Sequence, residues 1–300
     1  MASTELQAVL EMLESGGVLA GDTIDEQRTN MEAATTVMPL PDDVRFEAVD
    51  AGGVPAEWTV APGAGEDRVI VYFHGGGYCI GSVRTHRLLV AGLSRVTGAR
   101  VLSVDYRLAP EHPHPAALED AVAAYRHVVS LGLAPQRVAL AGDSCGGGLV
   151  VATLLALRDA GDPLPAAGVC ISPWFDLALS GETVQSKAAA DPICSEEMLR
   201  RMAEAYLDGR DPETPLASPL YAPLAGLPPL LVQVGTAEIL LDDSRRFAER
   251  ARAAGVSVDL EPWDDMVHVW HAFAMLLPEG QQAIDRIGRY LEARFAKAAA

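Results

Sequence analysis

The chain has 300 residues, 49% hydrophobic and 21% charged, so it carries enough apolar material for a core and is not a mainly disordered chain. Its 23 Lys and Arg stand against 41 Asp and Glu, a net charge of −18. That sign repels phosphate backbones and anionic bilayers, so neither nucleic acid nor a membrane is expected as a partner.

In chain order, the first segment reads as a helix. Leu6, Val9, Leu10 and Leu13 share one face, Thr4 and Gln7 are spaced for a capping box, and Gly16-Gly17 stops it. It serves either as a lid or as an ordinary packed surface helix. Glu5, Glu11 and Glu14 precede the first basic residue, Arg28, unlike a secretory leader. The longest apolar stretch, 149–157, is too short to span a bilayer. A cytoplasmic protein is expected. Cys79, Cys145, Cys170 and Cys194 form no CxxC pair, which suits reduced thiols.

Residues 44–50 alternate. Gly52-Gly53 turns the chain, and Val54, Ala56, Trp58 and Val60 then share a face, predicting a β-hairpin. Six short β-rich runs follow, at 68–73, 100–105, 137–141, 168–172, 229–234 and 256–261. Several are apolar on both faces, as buried parallel strands are. Helical patterns fall between most of them, at 85–96, 116–129, 149–160, 244–254 and 281–295. The alternation predicts an α/β fold: eight strands, mostly parallel, with the first pair antiparallel and helices on both faces. Only 173–228 breaks the rhythm. It holds a helix at 195–207, with Ser195 as N-cap, and reads as an insertion forming a lid or cap rather than a second domain.

The sharpest chemical signal is Gly142-Asp143-Ser144-Cys145-Gly146, between a predicted strand and a predicted helix. G-x-S-x-G in that setting is a nucleophile elbow: a strained turn that stands the serine hydroxyl at the carboxyl end of the sheet. The second is His74-Gly75-Gly76-Gly77, directly after a strand. Consecutive glycines let backbone N–H groups approach a ligand, here a developing oxyanion, with the Cys145 N–H as a further donor. A phosphate loop is the rival reading, but no Lys-Ser/Thr follows and no G-x-G-x-x-G spacing is present. His74 braces this loop.

A serine needs a base, and the base a carboxylate. His86 and His127 fall on predicted helices. His112 and His114 flank Pro113 without a third metal ligand. His268 lies just past the last strand, on the same sheet edge as the elbow, and is the expected base, with His271 as the alternative. Glu238 lies just beyond the 229–234 run and is the expected acid, with Asp242 as the alternative and Asp243 as support for the next helix. The order Ser144, Glu238, His268 is that of α/β-hydrolases.

With His74-Gly75-Gly76-Gly77, Gly142-Asp143-Ser144-Cys145-Gly146, Asp105-Tyr106-Arg107-Leu108-Ala109-Pro110-Glu111 and Ser172-Pro173-Trp174, the chain resembles the bacterial hormone-sensitive-lipase family of carboxylesterases over about 69–271. The resemblance implies a single α/β-hydrolase domain over 1–300, with a cap from about 1–40 and 178–217. It implies Gly76, Gly77 and Cys145 as oxyanion-hole residues. It also implies hydrolysis of short- to medium-chain esters or lactones through an acyl-enzyme, without metal or organic cofactor. Two residues depart from the commonest pattern. Cys145 stands where alanine is usual, putting an oxidisable thiol beside the nucleophile, and Glu238 replaces the more frequent Asp. Candidate pocket walls are Trp174, Phe175, Met198 and Met202, the two aromatics serving equally as core. Activity is expected to fall below about pH 6–7 as His268 protonates. An amidase with the same triad and a non-catalytic small-molecule receptor are the alternatives. A homodimer through the last strand, 256–261, is expected from the resemblance.

Overall fold

The computed structural model describes residues 3–15 and 21–297; the Gly16-Gly17 helix stop lies outside them. Among the described residues the strands are β1 Arg45–Asp50, β2 Pro55–Val60, β3 Gly65–Phe73, β4 Ala99–Val104, β5 Val138–Asp143, β6 Ala167–Ile171, β7 Leu230–Gly235 and β8 Val258–Trp263. They form one sheet in the order β1-β2-β4-β3-β5-β6-β7-β8. Only β2 runs against its neighbours, pairing antiparallel with both β1 and β4; the other pairs are parallel. The helices are α1 Thr4–Ser15, α2 Ile24–Thr36, α3 Arg87–Thr97, α4 Ala116–Ser130, α5 Cys145–Ala160, α6 Thr183–Ser186, α7 Glu196–Leu207, α8 Leu241–Ala253 and α9 Pro278–Lys297.

The sheet is buried on both sides because its central strands are apolar on both. In β3, Val69, Val71 and Phe73 enter a core shared with α4, α5 and α8, while Ile70 and Tyr72 enter a second core under α3 and α9. Each such side chain, taken fully out of water, contributes roughly 1.5–3 kcal/mol. The chain steps from β3 outward to β4, then returns past β3 to β5. The carboxyl ends of β3 and β5 therefore flank the point where strand order reverses, which is where open α/β sheets form their crevice.

Three local readings change. The hydroxyl that caps α1 belongs to Ser3, whose Oγ accepts from the Leu6 N–H at 3.1 Å, rather than to Thr4. The last strand begins at Val258, not 256, because the turn after α8 holds Val256, whose N–H donates to Ala251 O at 2.9 Å. The helix α2 was not foreseen: it is too polar for an apolar stripe to mark it. Its capping box was in the sequence all the same. Glu26 N–H donates to Thr23 Oγ1 at 3.2 Å, and Thr23 N–H donates to Glu26 Oε2 at 3.1 Å. No helix among the described residues is long and apolar enough to cross a membrane.

Candidate active site

Ser144 sits between β5 and α5 at φ 55° and ψ −124°. For a residue with a Cβ this backbone costs of order 1–3 kcal/mol, so its surroundings must hold it. They do so through both backbone groups: Ser144 N–H donates to Ile171 O at 2.8 Å, and Ser144 O accepts from Trp174 N–H at 2.9 Å. The elbow also packs tightly on β3. A Cβ on Gly146 would lie 2.1 Å from Phe73 O, so only glycine fits there.

The loops after β7 and β8 are stitched together. Thr236 N–H donates to Trp263 O at 2.9 Å, Ala237 N–H to Met266 O at 3.0 Å, and Asp265 N–H to Thr236 Oγ1 at 2.9 Å. This brings Glu238 and His268 together, with Glu238 Oε2 2.8 Å from His268 Nδ1. The other carboxylate oxygen, Oε1, accepts from Ser172 Oγ at 2.8 Å and from Gly235 N–H at 2.5 Å. The extra methylene of a glutamate is thus accommodated by a fully buried, fully partnered carboxylate. The Ser172 hydroxyl also accepts from Val269 N–H at 3.0 Å, so it bridges the acid to the residue after the base. Burial opposes a charge on His268, but the Cys194 thiol and Glu238 outweigh it and hold its pKa well above the ordinary imidazole value of 6.5.

Ser144, His268, Gly76 and Gly77 line one cavity of about 480 Å³, within the usual range for small-molecule sites. Its wall is mostly apolar and includes six of the chain's eight methionines: Met12, Met31, Met38, Met198, Met202 and Met275. Gly76 and Gly77 adopt φ of +119° and +58°, and a Cβ on Gly77 would lie 2.2 Å from Met202 Sδ. The glycines therefore leave room for α7 to close directly on the loop.

That loop is fixed from beneath by Asp143. Its Oδ1 accepts from Gly75 N–H at 3.0 Å and from Tyr72 OH at 2.5 Å, and its Oδ2 lies 3.4 Å from His86 Nε2. Burial opposes charge on both partners, yet their mutual attraction keeps the Asp143 pKa low and the His86 pKa high. His86 is satisfied by this pair rather than by solvent. It stands at the start of α3, buried, in the cavity wall. His74 stacks on Tyr106 at 4.3 Å, and burial pushes its pKa down to about 3, so it serves as a neutral brace.

Several expected groups lie elsewhere. Trp174 and Phe175 are fully buried and absent from the cavity wall: Trp174 Nε1 donates to Asp176 O at 2.9 Å, and Phe175 stacks on Phe247 at 4.1 Å. The loop after β6 is held by backbone contacts, Trp174 N–H to Ser144 O and Phe175 N–H to Asp243 Oδ2, and both rings pack into the core. The Cys145 side chain also points into the core, where Sγ accepts from Tyr78 N–H at 3.1 Å and burial pushes its pKa up to about 12. The oxidation expected of an exposed thiol there has no exposed thiol to act on. His271 lies in a short turn with Nε2 2.8 Å from Gln233 Oε1. Asp242 accepts from Thr183 N–H at 3.1 Å, and Asp243 from Phe175 and Asp176 N–H at 2.9 Å each, so both brace the 173–186 segment. Ser172 and His86 escaped the sequence reading. Ser172 lay inside a noted motif, but its partners are 66 and 97 residues away. Among the described residues no cluster of three or more His, Cys, Asp or Glu is arranged to hold a metal.

An eight-stranded parallel-rich sheet with a strained serine at one strand end and an acid–imidazole pair at two others defines an α/β-hydrolase. Residues 70–272 match the family described as the alpha/beta hydrolase fold. An acetyl-hydrolase of Streptomyces hygroscopicus is 47% identical over 291 residues, covering 97% of each chain. The carboxylesterase NlhH of Mycobacterium tuberculosis is 33% identical over 286 residues, covering 89% of this chain and 88% of its own. A solved esterase from the bacterial hormone-sensitive lipase family is 54% identical, covers 98% of this chain and 99% of its own, and superposes with a TM-score of 0.96. The chain belongs to the bacterial hormone-sensitive lipase family of α/β-hydrolases and is a carboxylic ester hydrolase.

Proposed function

We propose that the protein is a serine carboxylesterase that cleaves short- to medium-chain esters, lactones among them, through an acyl-enzyme. The observation that carries this is the Glu238–His268 pair at 2.8 Å opening on the same cavity as Ser144 at its strained elbow. His268 takes the Ser144 proton as Oγ attacks the ester carbonyl. Backbone N–H groups of Gly76, Gly77 and Cys145 receive the oxyanion, each such donor contributing about 3–4 kcal/mol. His268 then protonates the leaving alkoxide, and water repeats the cycle to release the acid. Glu238 stays ionised and fixes the imidazole tautomer. The cavity's size and apolar wall favour compact apolar esters, and the similarity to a protein named acetyl-hydrolase supports a short acyl group.

We further propose that 1–40 and 178–217 form a cap on a single hydrolase domain, a reading supported by Met12, Met31, Met38, Met198 and Met202 in the cavity wall. The four free, buried thiols suit a reducing compartment such as the cytoplasm. Turnover of a p-nitrophenyl ester series with Ser144→Ala tests the mechanism. A fall in kcat of roughly 10⁴–10⁶ is expected, with loss of fluorophosphonate labelling. Near-normal turnover would remove Ser144 from the reaction.

A further inference from the structure

The buried pair under the glycine loop, His86 and Asp143, takes no part in the mechanism proposed above, yet both residues line the cavity with Ser144. The hydrogens on the His86 ring follow from its neighbours. Nδ1 lies 2.8 Å from Thr85 Oγ1, whose own proton goes to Ser82 O at 2.9 Å. That hydroxyl is left to accept from the ring, so Nδ1 carries a hydrogen. Nε2 faces Asp143 Oδ2 at 3.4 Å. Gly75 N–H points between the two side chains, but the carboxylate is its nearer acceptor, with Oδ1 at 3.0 Å against 3.3 Å for Nε2. A second proton on Nε2 therefore meets a carboxylate, whereas a bare lone pair would oppose it.

That carboxylate stands close to the chemistry. A Cβ on Gly75 would lie 2.2 Å from Asp143 Oδ2 and 3.2 Å from Ser144 Cβ, so carboxylate and nucleophile are no farther apart than those two lengths together. Negative charge developing on the oxyanion thus forms near a buried carboxylate, where little water screens the repulsion. The carboxylate is also structural, since it holds Gly75 N–H and the Tyr72 hydroxyl. The titratable groups around His86 are Asp143 at the end of β5, Tyr72 in β3, His74 after β3, and Glu32 in α2, which lies 3.7 Å from Arg84. Burial makes His74 neutral, which leaves His86 to meet the carboxylate.

We propose, on the basis of the serine mechanism above, that His86 is a positioning residue for the oxyanion loop: its imidazolium cancels the charge of Asp143, so that a carboxylate can anchor Gly75 beside the nucleophile without opposing the oxyanion. Removing the imidazole alone strands a buried carboxylate; removing both charges together does not.

The test is a cycle of His86→Gln, Asp143→Asn and the double variant, with kcat and KM on p-nitrophenyl butyrate measured from about pH 6 to about pH 9. Gln keeps an amide donor without the charge, and Asn keeps an acceptor for Gly75 N–H. His86→Gln is expected to lower kcat about tenfold or more with less than about a twofold change in KM, because the oxyanion exists only beyond the ground state. Its deficit against wild type should widen as pH rises and Asp143 ionises. The double variant is expected to recover most of that loss and to match Asp143→Asn. A purely structural brace predicts the reverse, a double variant at least as impaired as His86→Gln. Should His86→Gln not fold, nitrogen-15 histidine NMR of wild type and Asp143→Asn at about pH 8 decides: one ring is expected to be an imidazolium in the first and neutral in the second. A double variant no better than His86→Gln, a deficit independent of pH, or histidine spectra alike in wild type and Asp143→Asn would each overturn the inference. Failure of a fluorophosphonate to label wild type at Ser144 would instead overturn the serine mechanism itself.

Discussion

At the scale of single residues, the site is organised around one carboxylate whose every oxygen is spoken for. Glu238 faces His268, Ser172 and the Gly235 N–H. Glu238→Gln keeps the shape but removes the charge that favours the imidazolium. A fall in kcat of roughly 10³–10⁴ is expected in steady-state ester hydrolysis. Ser172→Ala removes one hydrogen bond to the acid and one from Val269 N–H, so thermal or denaturant unfolding should show about 1–3 kcal/mol less stability. The raised His268 pKa moves the acid limb of kcat/KM above pH 6.5, higher than the imidazole reference alone implies, since only the neutral ring accepts a proton. Stability runs the other way. The imidazolium stabilises the native state fully below pH 6.5, and that contribution is lost as pH rises through the raised folded value. Melting temperature measured against pH should therefore fall on the flank where activity climbs. That Ser144, Glu238 and His268 would come together at one end of the sheet was legible because each follows a recognisable strand. The contacts of Ser172 and His86 were not, because they exist only once distant loops meet.

Among the elements, α2 shows how a polar segment is held without an apolar stripe. Arg28 reaches from α2 to the loop after the glycine run. Its Nε donates to Cys79 O at 2.7 Å and an Nη to Ala109 O at 2.8 Å, while the guanidinium grips Glu111 with two contacts at 2.7 and 2.8 Å. The ion pair lowers the Glu111 pKa to about 2, so it persists across ordinary pH. Arg28→Ala should lower unfolding free energy by about 1–2 kcal/mol, from the lost carbonyl contacts more than from the partly exposed ion pair. It should also raise KM, because Met31 and Met38 at the cavity wall lose their support. Urea titration and ester kinetics check both. The strands were readable from β-rich runs and the helices from periodicity. Their ends were not, since tertiary turns such as the one after α8 set them. The antiparallel β2 was half-seen: the hairpin showed its pairing with β1, but nothing local showed its pairing with β4.

For the whole molecule, charge and edge geometry bear on association. The strand β8 ends the sheet, and its Asp259 and Glu261 are paired with Arg294 and Arg286 of α9. We propose a homodimer across this edge, which would cover unpaired backbone groups. Two copies at −18 each repel, so dimerisation measured by sedimentation at micromolar concentration should strengthen with added salt. A monomeric mass at every ionic strength would count against it. The methionine-rich wall has a different reach. Thioether chains swing between rotamers at little cost and fit guests of unlike outline without disturbing the backbone. Selectivity here is soft, open to retuning by single exchanges of Met for a stiffer side chain. The same softness is a liability: peroxide adding oxygen to those sulfurs would turn a greasy chamber polar while leaving the machinery for bond cleavage intact.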